Sequence, residues 1–147
     1  MTHPASNRLF VYSSLRKGFQ HTDYDYIAEF FSFISYGKVA GSLSILNDVP
    51  VATNGGTHSF IKGELYEIKK KKNISYAMGQ LDGYEGLVVE ENEIPLYRRE
   101  LTKVFLDDGS ESEAWVYWYN GDVAGLPIIP SGDVFDFIET FRNSHSE

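Results

Sequence analysis

Two short stretches hold the residues whose types and order could do chemistry. In "LDGYEG", residues 81–86, Glu85 follows an aromatic residue and precedes a glycine where an amphipathic segment ends. A carboxylate there could be held against an apolar wall, where partial desolvation raises its affinity for a proton and makes it a usable base. The plainer alternative is a glutamate exposed beside a loop glycine, since glutamates are mostly exposed. Asp82 is the competing carboxylate, and its place in the last turn beside Leu81 better suits a local hydrogen-bonding role. In "RLFVYSSLRKG", residues 8–18, the apolar or aromatic run from Leu9 to Tyr12 stops at Ser13 and Ser14. Such a run, without polar alternation, reads as a strand covered on both faces. The serines at its end offer backbone N–H groups and hydroxyls at a sheet edge, where ligands commonly sit. An ordinary strand end followed by a solvated turn is the alternative.

The elements around these stretches must position them. After the first strand, Ile27, Phe30, Phe31 and Ile34 recur at helical spacing, which predicts a helix capped by Thr22 or Asp23 and ended by Gly37. Val39, Leu43 and Ile45 in "KVAGSLSIL" predict a half-buried strand, "VPVATNGGTHSF" reads as a loop, and "FIKGELYEI" reads as a third strand. Ile74, Met78 and Leu81 mark a short helix that runs into "LDGYEG". Two further strands are joined at "DDGS", where Asp-Gly is a strong hairpin signal. Val134, Phe137, Ile138 and Phe141 predict a closing helix, with Ser131 or Asp133 as its cap. No repeat or linker interrupts this order, so residues 1–147 are expected to form one α+β domain, a small, mixed, curved, barrel-like sheet with packed helices. Trp115, Tyr117 and Tyr119 share one face of the last strand by period two. If that face points inward, a tyrosine hydroxyl lines the pocket; ordinary aromatic packing is the alternative.

Composition excludes several classes. The chain has no cysteine, which removes disulfides, thiolate metal sites and a cysteine nucleophile, and fits a reducing cytoplasm. His3, His21, His58 and His145 are scattered without metal-ligand spacing, so no metal is expected. A formal charge of −8 and a pI near 4.9 argue against a nucleic-acid partner, which would need concentrated Lys and Arg. The one basic cluster, Lys69 to Lys72, reads as a solvated surface. "MTHPASNRLF" has no basic segment followed by a long apolar run, and no stretch approaches membrane-spanning length. A soluble, cytoplasmic protein that does not act at a membrane is expected.

Together the two stretches resemble the gamma-glutamylcyclotransferase-like family, whose members open with a strand ending in Tyr-Gly-Ser/Thr-Leu and later carry Leu-Asp-x-x-Glu-Gly. Here those positions read "YSSL" and "LDGYEG". The likeness continues through "LYRRE", at the family's Tyr-x-Arg, through "WVYWYN", and into "IIPSGD". The resemblance implies a small barrel with a cavity, and a gamma-glutamyl amide cleaved by its own alpha-amino group to give 5-oxoproline and an amine, with no cofactor. By position, Tyr12, Ser13, Ser14 and Leu15 would form the loop whose backbone N–H groups hold the substrate, and Glu85 would be the acid/base residue. We add Tyr119 as the tyrosine placed at the substrate. Arg16 and Lys17 could attract the substrate's alpha-carboxylate, or simply be solvated cations. The chain departs from the family at Ser13, where glycine is usual, and at Val134, where tryptophan often follows Ser-Gly-Asp. Ser13 leaves room for an alternative, a non-catalytic small-molecule binding domain on the same fold, whereas Glu85 favours the enzyme.

Overall fold

The computed structural model describes residues 7–12, 27–47, 49–54, 59–84 and 97–134, with the backbone alone at 49, 83 and 84. Strands β1 (Arg8–Val11), β2 (Phe31–Ala40), β5 (Phe60–Ile68), β6 (Tyr97–Leu106) and β7 (Glu111–Tyr119) close a barrel in the order β1-β5-β2-β6-β7. Strands β3 (Ser42–Leu46) and β4 (Val49–Thr53) form a separate two-stranded sheet, and helix α1 (Ile74–Tyr84) follows β5. Every neighbouring pair in the barrel is antiparallel except the closing one, where β1 runs parallel to β7 with Leu9 opposite Trp115. The expected α+β class with a curved, barrel-like sheet is therefore observed.

Period-two alternation divides the apolar residues between two faces. Phe10, Val39, Ile61, Leu65, Val104, Val116 and Trp118 meet on one face, joined there by Leu43 and Ala52 of the β3–β4 hairpin. On the other, Leu9, Val11, Tyr66, Ile68 and Tyr117 pack under Ala77, Met78 and Leu81 of α1. The helix forms where the apolar spacing predicts it, and that stripe docks it on the sheet.

Three expectations fail: the single strand read over "KVAGSLSIL" is divided between β2, which holds Val39, and β3 of the other sheet, which holds Leu43 and Ile45, and the remaining two concern the first helix and the loop. Residues 27–30 are helical, but β2 begins at Phe31, so Phe31, Ile34 and Gly37 belong to a strand. Phe31 and Phe33 pair with Ile68 and Tyr66 of β5, and a bulge between Phe33 and Ser35 shifts the alternation. Long-range pairing of an aromatic-rich segment has overridden a locally helical spacing. The segment read as a loop contains β4, whose Val51 and Ala52 are buried. Pro50 is tolerated because β4, which pairs with β3 alone among the described strands, is an edge strand. The β6–β7 hairpin turns at Asp108-Gly109 as predicted; Gly109 has φ 90°, and the Ser110 N–H donates to the Asp108 carboxylate at 2.8 Å. Ser131 accepts from the Asp133 N–H at 3.2 Å in a turn through Gly132, which leaves Asp133 as the residue directly before the helical Val134. Phe137, Ile138 and Phe141 lie outside the described residues.

Gly132 fastens this last segment to the barrel. Its carbonyl accepts the Lys62 N–H at 2.8 Å, its φ is 69°, and a Cβ added there would lie 1.8 Å from the Phe60 carbonyl oxygen. Gly109 shares the positive φ but has open space around it. Gly132→Ala is therefore expected to destabilise the fold by about 1–3 kcal/mol beyond any effect of Gly109→Ala. Urea midpoints at unchanged m would measure the difference; equal losses would show that backbone conformation alone selects glycine at 132.

Candidate active site

Of the predicted site residues, Tyr12 and Tyr119 are described, whereas Ser13, Ser14, Leu15 and Glu85 lie outside the described residues, as do Arg16 and Lys17. The structure therefore shows the frame from which both motifs depart. Tyr12 follows directly on β1 and is 8% exposed, and its hydroxyl donates to the Tyr117 carbonyl oxygen at 2.6 Å. Helix α1 ends at Tyr84, directly before Glu85.

Asp82, in the last turn of α1, ties that helix end to the barrel. Arg99 on β6 grips it with both arms of the guanidinium, Nε to Oδ1 at 2.7 Å and Nη2 to Oδ2 at 2.9 Å. The Tyr117 hydroxyl also donates to Oδ1, at 2.8 Å. The expectation of a local role for Asp82 is thereby corrected, since its partners are 17 and 35 residues away. A short carboxylate in a last turn cannot reach the helix N–H groups already used in the ladder, so it turns outward to a planar cation. Burial disfavours the charged guanidinium, but hydrogen bonding to Asp82, then the charge of Asp82, outweigh it and hold Arg99 above its ordinary pKa. The guanidinium also covers the Trp115 ring, 4.3 Å from its centroid.

Tyr117 thus meets both departing segments: its carbonyl receives Tyr12 and its hydroxyl reaches Asp82. Tyr119, two residues further along the same face, is half-buried and edge-on to Tyr97, with ring centroids 5.7 Å apart. Its carbonyl accepts Arg98 Nη1 at 3.3 Å, and the same guanidinium reaches Asn120 and Asn54 through Oδ1 at 3.1 and 2.7 Å.

One carboxylate escapes the sequence reading. Glu64 on β5 is only 1% exposed, stands opposite Val11 in the β1–β5 ladder, and accepts the Tyr66 hydroxyl at 2.7 Å. The signal was present in "GELYE", where Glu64 and Tyr66 alternate onto one face. Among the described residues, no three His, Cys, Asp or Glu side chains gather as metal ligands, and no helix is long and apolar enough to cross a membrane.

Comparison with known proteins agrees with this frame. Residues 9–136 match the family described as gamma-glutamyl cyclotransferase, AIG2-like. A Methanocaldococcus jannaschii protein that carries the provisional name gamma-glutamylcyclotransferase is 34% identical over 131 residues, covering 88% of this chain and 96% of that protein. The crystal structure of an uncharacterized Pyrococcus horikoshii protein superposes with a TM-score of 0.64 at 25% identity, over 97% of this chain and 100% of the other. An AIG2-like protein of Mus musculus shares the fold, with a TM-score of 0.61 at 18% identity over 86% of this chain and 88% of its own.

Proposed function

The chain belongs to the gamma-glutamyl cyclotransferase, AIG2-like family, and from that premise we propose that it cleaves a small gamma-glutamyl amide by intramolecular attack of the substrate's alpha-amine, releasing 5-oxoproline and an amine. In this reading Glu85 takes a proton from the alpha-ammonium. The freed nitrogen attacks the gamma-carbonyl carbon, and a tetrahedral intermediate forms. Glu85 then returns its proton to the leaving nitrogen as the amide C–N bond breaks, and carries the ring nitrogen's remaining extra proton to the released amine, so a neutral lactam and an ammonium leave and atoms and charge balance without water. Backbone N–H groups of Ser13 to Leu15 stabilise the carbonyl oxygen as charge develops on it. Holding nucleophile and electrophile of one molecule in a curled geometry supplies much of the rate.

The observation that carries this reading is the double hold of Tyr117 on Tyr12 and Asp82. Ser13 is one residue from the first anchor and Glu85 three from the second, so covalent geometry limits the second Cα separation to about 11 Å. Both motifs therefore leave from neighbouring anchors, as a shared substrate site requires. Incubating the chain with gamma-glutamyl amines, gamma-glutamyl dipeptides and glutathione, and assaying 5-oxoproline, tests the reaction. Release from at least one of them is expected; release from none, with saturable binding retained, would favour a binding domain.

That second reading rests on Ser13, which stands where the family usually has glycine. Ser13→Gly is expected to change the order of preference among substrates while altering stability by only about 0.4–1 kcal/mol, because glycine opens room beside the ligand at small backbone cost. Identical substrate profiles with a large fall in melting temperature would make Ser13 a structural residue.

A further inference from the structure

We propose that Tyr117 is a positioning residue for the cyclisation, setting the spacing between the substrate-holding loop and Glu85 by acting through Tyr12 and Asp82. This inference rests on the functional reading above and adds a residue to it. Tyr117 is 3% exposed and packed among Leu9, Val11, Met78 and Leu81, so its ring has little freedom to move. Through its carbonyl it receives the Tyr12 hydroxyl at 2.6 Å; through its own hydroxyl it donates to Asp82 Oδ1 at 2.8 Å. The backbone at one end of the residue and the phenol tip at the other are thereby bonded to two different segments. Arg99 donates to both oxygens of Asp82, and the Tyr117 hydroxyl donates to the Oδ1 that Arg99 Nε also holds. The phenol thus serves as a rigid spacer between β7 and the end of α1. Neither bond involves a reacting atom, and a shift of about 1 Å in such a frame can cost on the order of 10²-fold in rate.

The test uses the full chain and the gamma-glutamyl substrate that it turns over best. Tyr117→Phe keeps the ring and the carbonyl that Tyr12 uses, and removes only the hydroxyl that Asp82 accepts. The expected result is a kcat about 10- to 100-fold lower, with KM within about twofold and a circular dichroism spectrum like the parent's. Tyr12→Phe, which removes the hydroxyl that the Tyr117 carbonyl accepts, is expected to behave alike. The double variant should be no slower than the slower single one, because either loss already frees the spacing. A Tyr117→Phe enzyme with parental kcat overturns the proposal, and so do single effects on kcat that multiply in the double variant. If Tyr117→Phe fails to fold, Tyr12→Phe decides: parental kcat in that variant overturns the proposal, and a lowered kcat at unchanged KM supports it. Absence of 5-oxoproline release by the parent would instead defeat the functional reading, and the positioning role with it.

Discussion

Glu85→Gln is expected to bind substrate about as tightly as the parent and to turn it over about 10²–10⁴-fold more slowly. The amide nearly matches the carboxylate in shape and can still accept a hydrogen bond from the substrate's nitrogen, so ground-state binding survives. It cannot accept the proton that must leave before the amine has a lone pair to attack with. The loss should therefore fall on kcat and spare KM. The upper end of the range is expected because one residue would serve both proton transfers. Steady-state assay of 5-oxoproline measures it. A folded Glu85→Gln protein with parental kcat would show that another carboxylate does this work, and the buried Glu64 would be the next to substitute.

Asp82→Asn is expected to act chiefly on stability, by about 2–4 kcal/mol. The side chains of Arg99 and Asp82 are 22% and 18% exposed, so water only partly replaces what is lost. Asparagine would present an N–H group where Arg99 now finds an acceptor, leaving a half-buried guanidinium without its counter-charge. An isolated surface pair would be worth far less; here two hydrogen bonds from the guanidinium and one from Tyr117 converge on the same carboxylate. Chemical denaturation measures the loss, and a midpoint within error of the parent would reduce the network to a surface ion pair. Release of 5-oxoproline should fall as well, because the end of α1 would be less firmly held. Should Asp82→Asn abolish release in a folded protein while Glu85→Gln leaves it intact, the roles of the two carboxylates are exchanged.

What could be read from the sequence was what is local. The Asp-Gly turn of the β6–β7 hairpin depends on two adjacent residues, and the stripe Ile74, Met78 and Leu81 depends on one helix period; both are found where expected. β2 could not be read this way, because its strand state comes from pairing with β5, which is distant in sequence, and a bulge disguises its alternation. β4 was hidden by Pro50, which ordinarily argues against a strand. The same division runs through the candidate site. The two motifs were visible as residue types in order, whereas the partners of Asp82 on β6 and β7 follow only from closure of the barrel. Glu64 was passed over because a glutamate in a strand usually faces water, and only the covered face of β5 makes it a buried one.

The most direct measurement compares one gamma-glutamyl amide with its N-acetylated counterpart, following 5-oxoproline, glutamate and free amine together. Attack by the substrate's own alpha-amine requires that nitrogen to be unblocked. The predicted result is 5-oxoproline and amine in equal amounts from the free substrate, no glutamate, and no cleavage of the acetylated one. Amine released from both substrates, with glutamate or N-acetylglutamate as the other product, would mean that water is the nucleophile and would contradict cyclisation.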